Sequence, residues 1–312
     1  MGAIVVTDTP EKVLSSMIGV QLTDIQNAIN ALQKQGYRVN KIRKKDGGYR
    51  TTFIPPIQLL LVQRKIKTFL VRSFQEWSRG LYGTYKNTSY VDHVRTHSTD
   101  RYFFHIDLKN AFPSAQTEII KPLIYEKFFE RTNNKVLSKR MVNLFYDLTT
   151  LPGLFRVLPQ GTPTAPFLFY LVLGKSGLVN KISSIRGNLN VTVYVDNILV
   201  SSRNSINTII QENIQEKVVS CGFCINNKKT AYYDKFYYQP IINGLRVADE
   251  RVVLPKKQLR KLRGLIHRAL YNPKLIPQAK GIIASLRPIY GGIPPQLMNS
   301  HLKLSFRDKR AQ

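Results

Sequence analysis

The segment VTVYVDNILVSS, residues Val191–Ser202, places an Asp-Asn pair between two apolar runs rich in β-branched residues. This pattern predicts two strands joined by a tight turn. Taken alone, Asp196 and Asn197 would be ordinary turn residues. Carboxylates at the ends of strands are also suitable ligands for a divalent cation, because oxygen is the donor that such cations prefer. A second carboxylate beside Asp196 would therefore favour a metal site.

Asp107 is the candidate for that second carboxylate. It ends the apolar run RYFFHID, residues 101–107, which predicts a strand. Alone, Asp107 could equally cap a helix that opens in the following LKNAF. If the two strands are neighbours, Asp107 and Asp196 could bridge two Mg²⁺ ions about 4 Å apart. One ion would activate an attacking hydroxyl and the other would hold a triphosphate.

Basic residues in the turn KKDGGYR, residues 44–50, could clamp such a triphosphate. Arg50 offers a bidentate guanidinium, and Lys44 offers a point charge. For Lys45, a solvated position on the turn is the favoured interpretation.

Three further residues have two interpretations each. Gln160 and Gly161 lie in the loop PQGTP and could approach a base pair or simply start the following helix. The ring of Phe112, five residues after Asp107, belongs either to the core or beneath an incoming sugar, where it would exclude a 2′-hydroxyl.

The charge of the chain indicates its class of partner. The 312 residues include 47 Lys and Arg against 19 Asp and Glu, a net charge of +28, which opposes compaction unless an anion neutralises it. Nucleic acid is the favoured partner. An acidic membrane is the alternative, although an amphipathic anchor would concentrate charge that is here spread along the chain. One basic helix with an apolar stripe is predicted, with Leu259, Leu262, Ile266 and Leu270 among Lys256, Lys257, Arg260, Lys261, Arg263 and Arg268.

Other classes of function are disfavoured. The longest apolar run, residues 164–173, is too short to cross a bilayer and predicts a buried helix. The N-terminus lacks the pattern of a secretory signal. Cys221 and Cys224 form CGFC, which resembles a redox dithiol, but the motif lies at a predicted helix-to-strand junction. Packing is therefore the favoured role of both cysteines.

The remaining pattern predicts mixed helical and strand structure without internal repeats or interdomain linkers. Helices are predicted at residues 23–36, 56–77, 116–151 and 206–219, a basic hairpin at residues 41–56, and short strands at residues 225–233 and 241–247.

These stretches together resemble the reverse transcriptases and occur in the family's order. HIDLKNAF resembles motif A, LPQGTPTAP motif B, YVDN motif C, GFCINNKKT motif D, INGLRV the primer-grip strand and KKDGGYR the fingers motif. The resemblance covers roughly residues 37–270, and LPQGxPxxP after DLKxxF is highly specific. The short length, DLKNAFPS and the basic helix after the primer grip resemble bacterial retron-type enzymes.

The resemblance implies an α+β right-hand polymerase fold with fingers, an antiparallel palm sheet flanked by helices, and a short helical thumb. The expected domains are N-terminal helices and fingers at 1–100, a palm at 101–240 with fingers helices at about 116–155, and a primer-grip strand with a basic thumb at 241–312. The implied reaction is the addition of deoxynucleotides to a 3′-hydroxyl, copied from RNA and dependent on Mg²⁺ or Mn²⁺. The expected location is the bacterial cytoplasm, without a membrane partner.

The resemblance also assigns roles to single residues. Asp107 and Asp196 would be metal ligands, helped by the backbone carbonyl of Leu108. Asn197 would be a further catalytic residue beside Asp196, and Lys229 would be the acid for the leaving pyrophosphate. The implied nucleotide-binding residues are Lys44, Arg50, Gln160, Gly161 and the steric gate Phe112. The implied nucleic-acid-binding residues are Asn243, Gly244, Lys256, Lys257, Arg260, Lys261 and Arg263.

Three stretches depart from the family pattern. Motif C ends in Asn197 where the family has a second Asp. Asn keeps an oxygen ligand but removes a negative charge, so we expect an active enzyme with weaker metal affinity. Retron-type enzymes carry Asn-Ala-x-x-His ahead of motif A, where this chain has HVRTH, and Val-Thr-Gly where it has Ile242-Asn243-Gly244. We expect the two histidines of HVRTH, His93 and His97, to cap a helix rather than to contact RNA.

The expected function is copying of a dedicated structured RNA into an RNA–DNA duplex, in anti-phage defence and with an effector protein as a further partner. Two alternatives remain open. One is DNA synthesis without a template, primed by one of the sixteen tyrosines. The other is an RNA-binding module that has lost catalysis. The joint presence of Asp107, Asp196, Phe112, Arg50 and LPQG argues against the second, because decay should not spare the whole set.

Overall fold

A computed structural model of the protein describes residues 8–44, 47–74, 80–84, 88–153, 156–294 and 297–298. Lys45 lies outside the described residues, so its solvated position stays a prediction.

The N-terminal part combines three helices with a hairpin. Its elements are α1 (Pro10–Ile18), α2 (Leu22–Gln35), β1 (Arg38–Arg43), β2 (Tyr49–Ile54) and α3 (Ile57–Ser73). Helix α1 was not predicted, although Thr9 caps its first turn and Gly19 ends it in the left-handed region at φ 69°. β1 and β2 pair antiparallel, with Ile42 opposite Arg50, which confirms the predicted basic hairpin.

A five-stranded sheet forms the centre of the molecule. Its strands are β3 (Leu81–Tyr82), β4 (Tyr102–Asp107), β5 (Asn190–Tyr194), β6 (Asn197–Ser202) and β7 (Ala231–Asp234), in the order β3-β5-β6-β4-β7. Only the short β3 runs parallel to its neighbour. The register places Asp107 directly opposite Asn197, so the strands that end at the two candidate carboxylates are neighbours.

Helices cover this sheet and connect its strands. They are α4 (Tyr90–Arg95), α5 (Lys121–Thr132), α6 (Lys135–Thr149), α7 (Ala165–Ser176), α8 (Leu178–Ser183) and α9 (Thr208–Ser220). Residues 167–173 of α7 are all buried, which confirms the predicted buried helix. Residues 116–151 are mostly helical, as predicted.

The chain directly after Asp107 differs from one interpretation of the sequence. It forms turns rather than a helix until the 3₁₀ turn at Thr117–Ile120. Asn110 adopts φ 50°, which a right-handed helix does not allow. The helix-cap interpretation of Asp107 is therefore wrong.

The described residues of the C-terminal part form a small sheet, three α-helices and a 3₁₀ turn at Pro273–Leu275. Its elements are β8 (Ile241–Ile242), β9 (Leu245–Ala248), β10 (Arg251–Val253), α10 (Lys256–Ala269), α11 (Ile276–Ser285) and α12 (Arg287–Tyr290). The predicted strand at 241–247 is instead a hairpin, because Asn243 and Gly244 adopt φ 49° and 80° and reverse the chain. The predicted strand at 225–233 begins only at Ala231, since residues 227–229 form a turn.

Two apolar clusters stabilise the fold. The larger joins the N-terminal helices, the central sheet and α5 to α9. The smaller joins the C-terminal elements to α4, with Phe103 of β4 and Leu199 of β6 between them. The architecture is mixed α and β with helices flanking the sheets, which confirms the predicted class. The domain boundaries at 100 and 240 stay a prediction. Among the described helices, none is both long and apolar enough to cross a bilayer.

Candidate active site

The hairpin of β5 and β6 presents Asp196 in a two-residue turn. Tyr194 pairs with Asn197, so Val195 and Asp196 form the turn itself. Val195 adopts φ 56°, which is costly for a β-branched residue and persists only where the surroundings enforce it. The Asp-Asn pair therefore belongs to a strained hairpin turn that also positions a carboxylate.

Asp107 lies beside this turn at the end of the adjacent strand. The amide of Leu108 donates to the carbonyl of Asp196 at 2.9 Å, which fixes the two chain segments together. The carboxylate Oδ2 of Asp107 accepts from Nδ2 of Asn226 at 2.9 Å and lies 3.4 Å from Nζ of Lys229. Both acidic side chains are only half-buried, so a pocket can reach them.

Burial raises the pKa of the Asp196 carboxyl above its usual range, and the nearby negative charge of Asp107 raises it further. Arg50 and Lys229 lower the same pKa through their positive charges, without cancelling the rise. The two acids thus repel each other at a site with few direct counter-ions, and a bound cation would relieve that repulsion.

The donors at this site suit a hard divalent cation. The carboxylates of Asp107 and Asp196 are oxygen ligands of the kind that Mg²⁺ prefers. An antiparallel bridge joins residues 108 and 225 through the amides of Lys109 and Asn226, so it does not use the Leu108 carbonyl. Within the described ranges, no cluster of three or more His, Cys, Asp or Glu side chains could hold a metal.

Asn197 is oriented differently from the expectation that its oxygen would face the metal. Its Nδ2 donates to Oδ1 of Asp196 at 3.1 Å, and its Oδ1 accepts from Nε2 of His105 at 3.1 Å. The amide donor thus compensates the negative charge of the half-buried Asp196 carboxylate, in a place where a second Asp would repel it. His105 was not predicted as a site residue, although its place two residues before Asp107 puts it on the same face of β4.

A cavity of about 410 Å³ opens above these carboxylates and gathers most of the predicted nucleotide-binding residues. Its lining includes Lys44, Arg50, Leu108, Phe112, Gln160 and Lys229 together with Asp107 and Asp196. Arg50 and Lys44 are exposed and bring positive charge to the fingers side. Seven residues of this lining were not predicted as site residues: Tyr49, Thr51, Lys109, Asn110, Ala111, Pro113 and Asn226. Asn226 lies in GFCINNKKT, the stretch that resembles motif D. Its hydrogen bond with Asp107 is visible only in the folded structure.

Gly161 lies beside the cavity lining rather than in it. The carbonyl of Gln160 accepts from the amide of Phe53 at 2.8 Å, which docks this loop on β2. Gly161 adopts φ 105°, and a Cβ there would lie 3.3 Å from the Phe53 carbonyl oxygen. Only glycine meets both conditions easily.

Phe112 belongs to the core and to the cavity at once. It is 7% exposed, and its ring centroid lies 5.3 Å from that of Phe169 in α7. The two interpretations of this residue are therefore compatible, since Phe112 packs on Phe169 and also lines the cavity.

The remaining predicted residues lie in the C-terminal part. Asn243 and Gly244 form the β8–β9 turn, and α10 carries an exposed basic face with Leu262, Leu265 and Ile266 buried beneath it. Of the predicted apolar stripe, Leu262 and Ile266 are buried and Leu259 and Leu270 are half-buried, while Leu265, which was not predicted, is buried as well. The exposed Lys and Arg residues of α10 are Lys256, Lys257, Arg260, Lys261, Arg263 and Arg268.

His93 and His97 do not cap a helix, which corrects that expectation. Both are fully buried, and the N-cap of α4 is Ser89. The ring nitrogens of His97 lie 2.6 Å from the hydroxyl oxygens of Ser201 and Thr192, so this side chain ties α4 to the sheet. Packing describes Cys221, which is half-buried, but it is wrong for Cys224, which is exposed.

Comparisons with known proteins agree with this geometry. The family profile described as "Reverse transcriptase (RNA-dependent DNA polymerase)" matches residues 42–243, more than half of the chain. The chain is 24% identical over 236 residues to the Retron Ec86 reverse transcriptase of Escherichia coli, covering 74% of this chain and 69% of that one. It is 26% identical over 249 residues to the Retron Ec73 reverse transcriptase of the same organism, covering 75% and 76%. Among solved structures, apo telomerase from Candida tropicalis aligns with a TM-score of 0.52 at 10% identity, covering 87% of this chain and 60% of that one.

Proposed function

Since the chain belongs to the reverse transcriptase family, as a retron-type RNA-directed DNA polymerase, we propose that it extends a primer 3′-hydroxyl by a two-Mg²⁺ mechanism while copying a dedicated structured RNA. The observation that carries this proposal is that Asp107, at the end of β4, lies beside Asp196, in the β5–β6 turn, and that both line a cavity with cationic walls.

The acidic pair would hold the divalent cations, together with the Leu108 carbonyl. When bound, Mg²⁺ supplies positive charge that activates the attacking hydroxyl and neutralises the triphosphate. Arg50 and Lys44 would bind the triphosphate from the opposite wall, the first through two parallel hydrogen bonds and the second as a point charge. Positioning and charge neutralisation are most of what phosphoryl transfer requires.

Lys229 would act as the acid for the leaving pyrophosphate. Its ammonium lies 3.4 Å from Oδ2 of Asp107 and is half-exposed toward the cavity. With a cation held by the Asp107 carboxylate, the Lys229 ammonium would turn to the leaving pyrophosphate and donate a proton to it. Asn226 keeps the Asp107 side chain in place meanwhile through its 2.9 Å hydrogen bond.

Phe112 and the Gln160 loop would select and align the incoming nucleotide. The ring of Phe112 is held by Phe169, so it cannot move aside easily for a 2′-hydroxyl. The Gln160–Gly161 backbone, docked on β2, would support the nascent base pair. The α10 face and the β8–β9 turn would contact the RNA–DNA duplex, mainly through phosphate charges.

The biological part of the proposal is that this synthesis serves anti-phage defence inside a bacterial cell. The named E. coli retron relatives support the retron type, and the net charge of +28 supports a bound nucleic acid. Sequencing the RNA that co-purifies, and the DNA made from it, tests template use. DNA complementary to that RNA is expected. DNA unrelated to any co-purified RNA would instead indicate synthesis without a template.

A phage challenge separates catalysis from binding. Cells carrying the wild type and cells carrying Asp107→Asn are compared, because Asn keeps the size of the side chain and removes its charge. Loss of protection with Asp107→Asn is expected. Equal protection with both variants would leave RNA binding as the function in the cell.

A further inference from the structure

His93 is a buried side chain whose polar contact points away from its own helix. It is fully buried, and its Nδ1 accepts from Nδ2 of Asn243 at 3.1 Å. Its Nε2 is buried without a hydrogen-bond partner among the described residues. An unpaired buried polar atom destabilises a fold, so packing alone would favour an apolar residue here. The contact with Asn243 is therefore the feature that needs an explanation.

The partner of His93 lies in a turn with little freedom. Asn243 and Gly244 connect β8 to β9 with φ angles of 49° and 80°, the pattern of a two-residue hairpin turn that favours Asn followed by Gly. The carbonyl of Gly244 accepts from Nε2 of Gln258 in α10 at 3.1 Å. The turn is thus held from one side by His93 and from the other by the basic helix.

The opposite side of His93 contacts the catalytic hairpin. Its ring centroid lies 5.7 Å from that of Tyr194, at an interplanar angle of 40°. Tyr194 ends β5, pairs with Asn197 and precedes Asp196 by two residues. The His93 imidazole therefore contacts two elements. One is β5, whose end precedes Asp196, and the other is the β8–β9 turn, which would contact the duplex.

His93 and Asn243 both lie where this chain departs from the retron pattern. The retron pattern has Asn at the position of His93 and Thr at the position of Asn243, and this chain differs at both. The two residues are separated by 150 positions in the chain but share a hydrogen bond. The hydrogen bond thus joins two positions that the local sequence does not relate.

We propose that His93 is a positioning residue that fixes the β8–β9 turn, and with it the primer terminus, relative to Asp196. The inference rests on the proposed function for the role of the turn. It deepens that function by naming a buried group that touches neither nucleic acid nor nucleotide. Because nucleotide addition depends on the placement of the primer hydroxyl, a small displacement of the turn should reduce the rate without altering nucleotide affinity.

Three single variants and the double variant His93→Phe with Asn243→Gly test this inference in the full-length protein. His93→Phe keeps the ring and removes the acceptor. Asn243→Gly removes the donor and tolerates the positive φ. His93→Asn restores an acceptor close to the position of Nδ1, so it serves as the matched control. Single-turnover addition of one deoxynucleotide to a fixed primer on an RNA template is measured against nucleotide concentration, with the melting temperature of each variant.

The expected result is a rate about tenfold lower for His93→Phe and for Asn243→Gly, with the nucleotide concentration at half-maximal rate changed less than about twofold. The double variant should be no slower than either single variant, and His93→Asn should recover most of the rate. A wild-type rate for Asn243→Gly overturns the inference. So do multiplicative losses in the double variant, or a His93→Asn enzyme as slow as His93→Phe. If His93→Phe does not fold, the rates of Asn243→Gly and His93→Asn still test the inference.

Failure of the proposed function gives a different result. A wild type that adds no nucleotide with Mg²⁺ or Mn²⁺ refutes the polymerase proposal, whatever His93 does. The coupling of His93 to Asn243 is then measured by urea unfolding of the same four variants and the wild type. Independent, additive effects on unfolding overturn the contact as a functional link.

Discussion

Replacement of Asn197 by Asp adds a carboxylate beside Asp196 and removes the amide that donates to it at 3.1 Å. Like charges about 4 Å apart repel by about 1 kcal/mol in a water-like medium and by about 4 kcal/mol near a protein surface. The site opens into a solvent-filled cavity, so we expect the free energy of unfolding of the metal-free protein to fall by about 2 kcal/mol.

The same charge attracts a divalent cation twice as strongly as a single charge. Near the water-like limit this amounts to about 2 kcal/mol, or an affinity about thirtyfold higher. Titration with Mn²⁺, followed by the electron paramagnetic resonance signal of the free ion, measures the affinity. Urea unfolding in the presence of a chelator measures the stability.

Asn204→Asp is the matched control, because it makes the same chemical change on an exposed residue just beyond the other end of β6. It should change neither quantity appreciably. An Asn197→Asp protein with unchanged stability and with Mn²⁺ affinity within about threefold of the wild type would refute the reasoning. That result would mean that Asn197 is not a neighbour of the metal.

Three other changes have definite expected outcomes. Phe112→Ala should raise the incorporation of ribonucleotides about tenfold or more in a nucleotide-competition assay, and should lower the free energy of unfolding by about 3 kcal/mol because the ring is buried. Charge removal in the double variant Lys257→Ala and Arg260→Ala should reduce the slope of log affinity against log salt by about 2, measured with an RNA–DNA duplex. Burial lowers the pKa of His93 to about 3, so from its ordinary pKa of 6.5 downward the unfolded chain binds a proton that the folded chain excludes. Stability should therefore fall on acidification, by about 2 kcal/mol at about pH 5 from this group, and His93→Asn should lose that part of the pH dependence in urea unfolding.

The sequence predicted the parts of the site that local patterns determine. Alternating apolar residues on either side of Asp196 indicated the hairpin, and the resemblance of LPQG and DLKNAF to family motifs indicated the fold. The order of the motifs, which is that of the family, then indicated that the strand ending at Asp107 and the hairpin carrying Asp196 are neighbours. These features depend on periodicity or on short motifs, both of which are visible in one chain.

The features that the sequence did not predict arise from contacts between distant segments. The bond between Asn226 and Asp107 spans 119 positions, and that between Asn243 and His93 spans 150. Nothing in the local sequence of either asparagine distinguishes it from an ordinary turn residue. The orientation of Asn197 likewise depends on His105, whose side chain reaches it only across the β4–β6 pair.

Primer extension by the purified protein tests the central claim most directly. The wild type, Asp107→Ala and Asp196→Ala are given a primed RNA template, deoxynucleotides and Mg²⁺ or Mn²⁺. The two-carboxylate site predicts that the wild type extends the primer in spite of Asn197, and that each Ala variant is slower by about a thousandfold. A wild type that adds no deoxynucleotide with either cation, or an Asp107→Ala protein that extends the primer at the wild-type rate, would contradict the account.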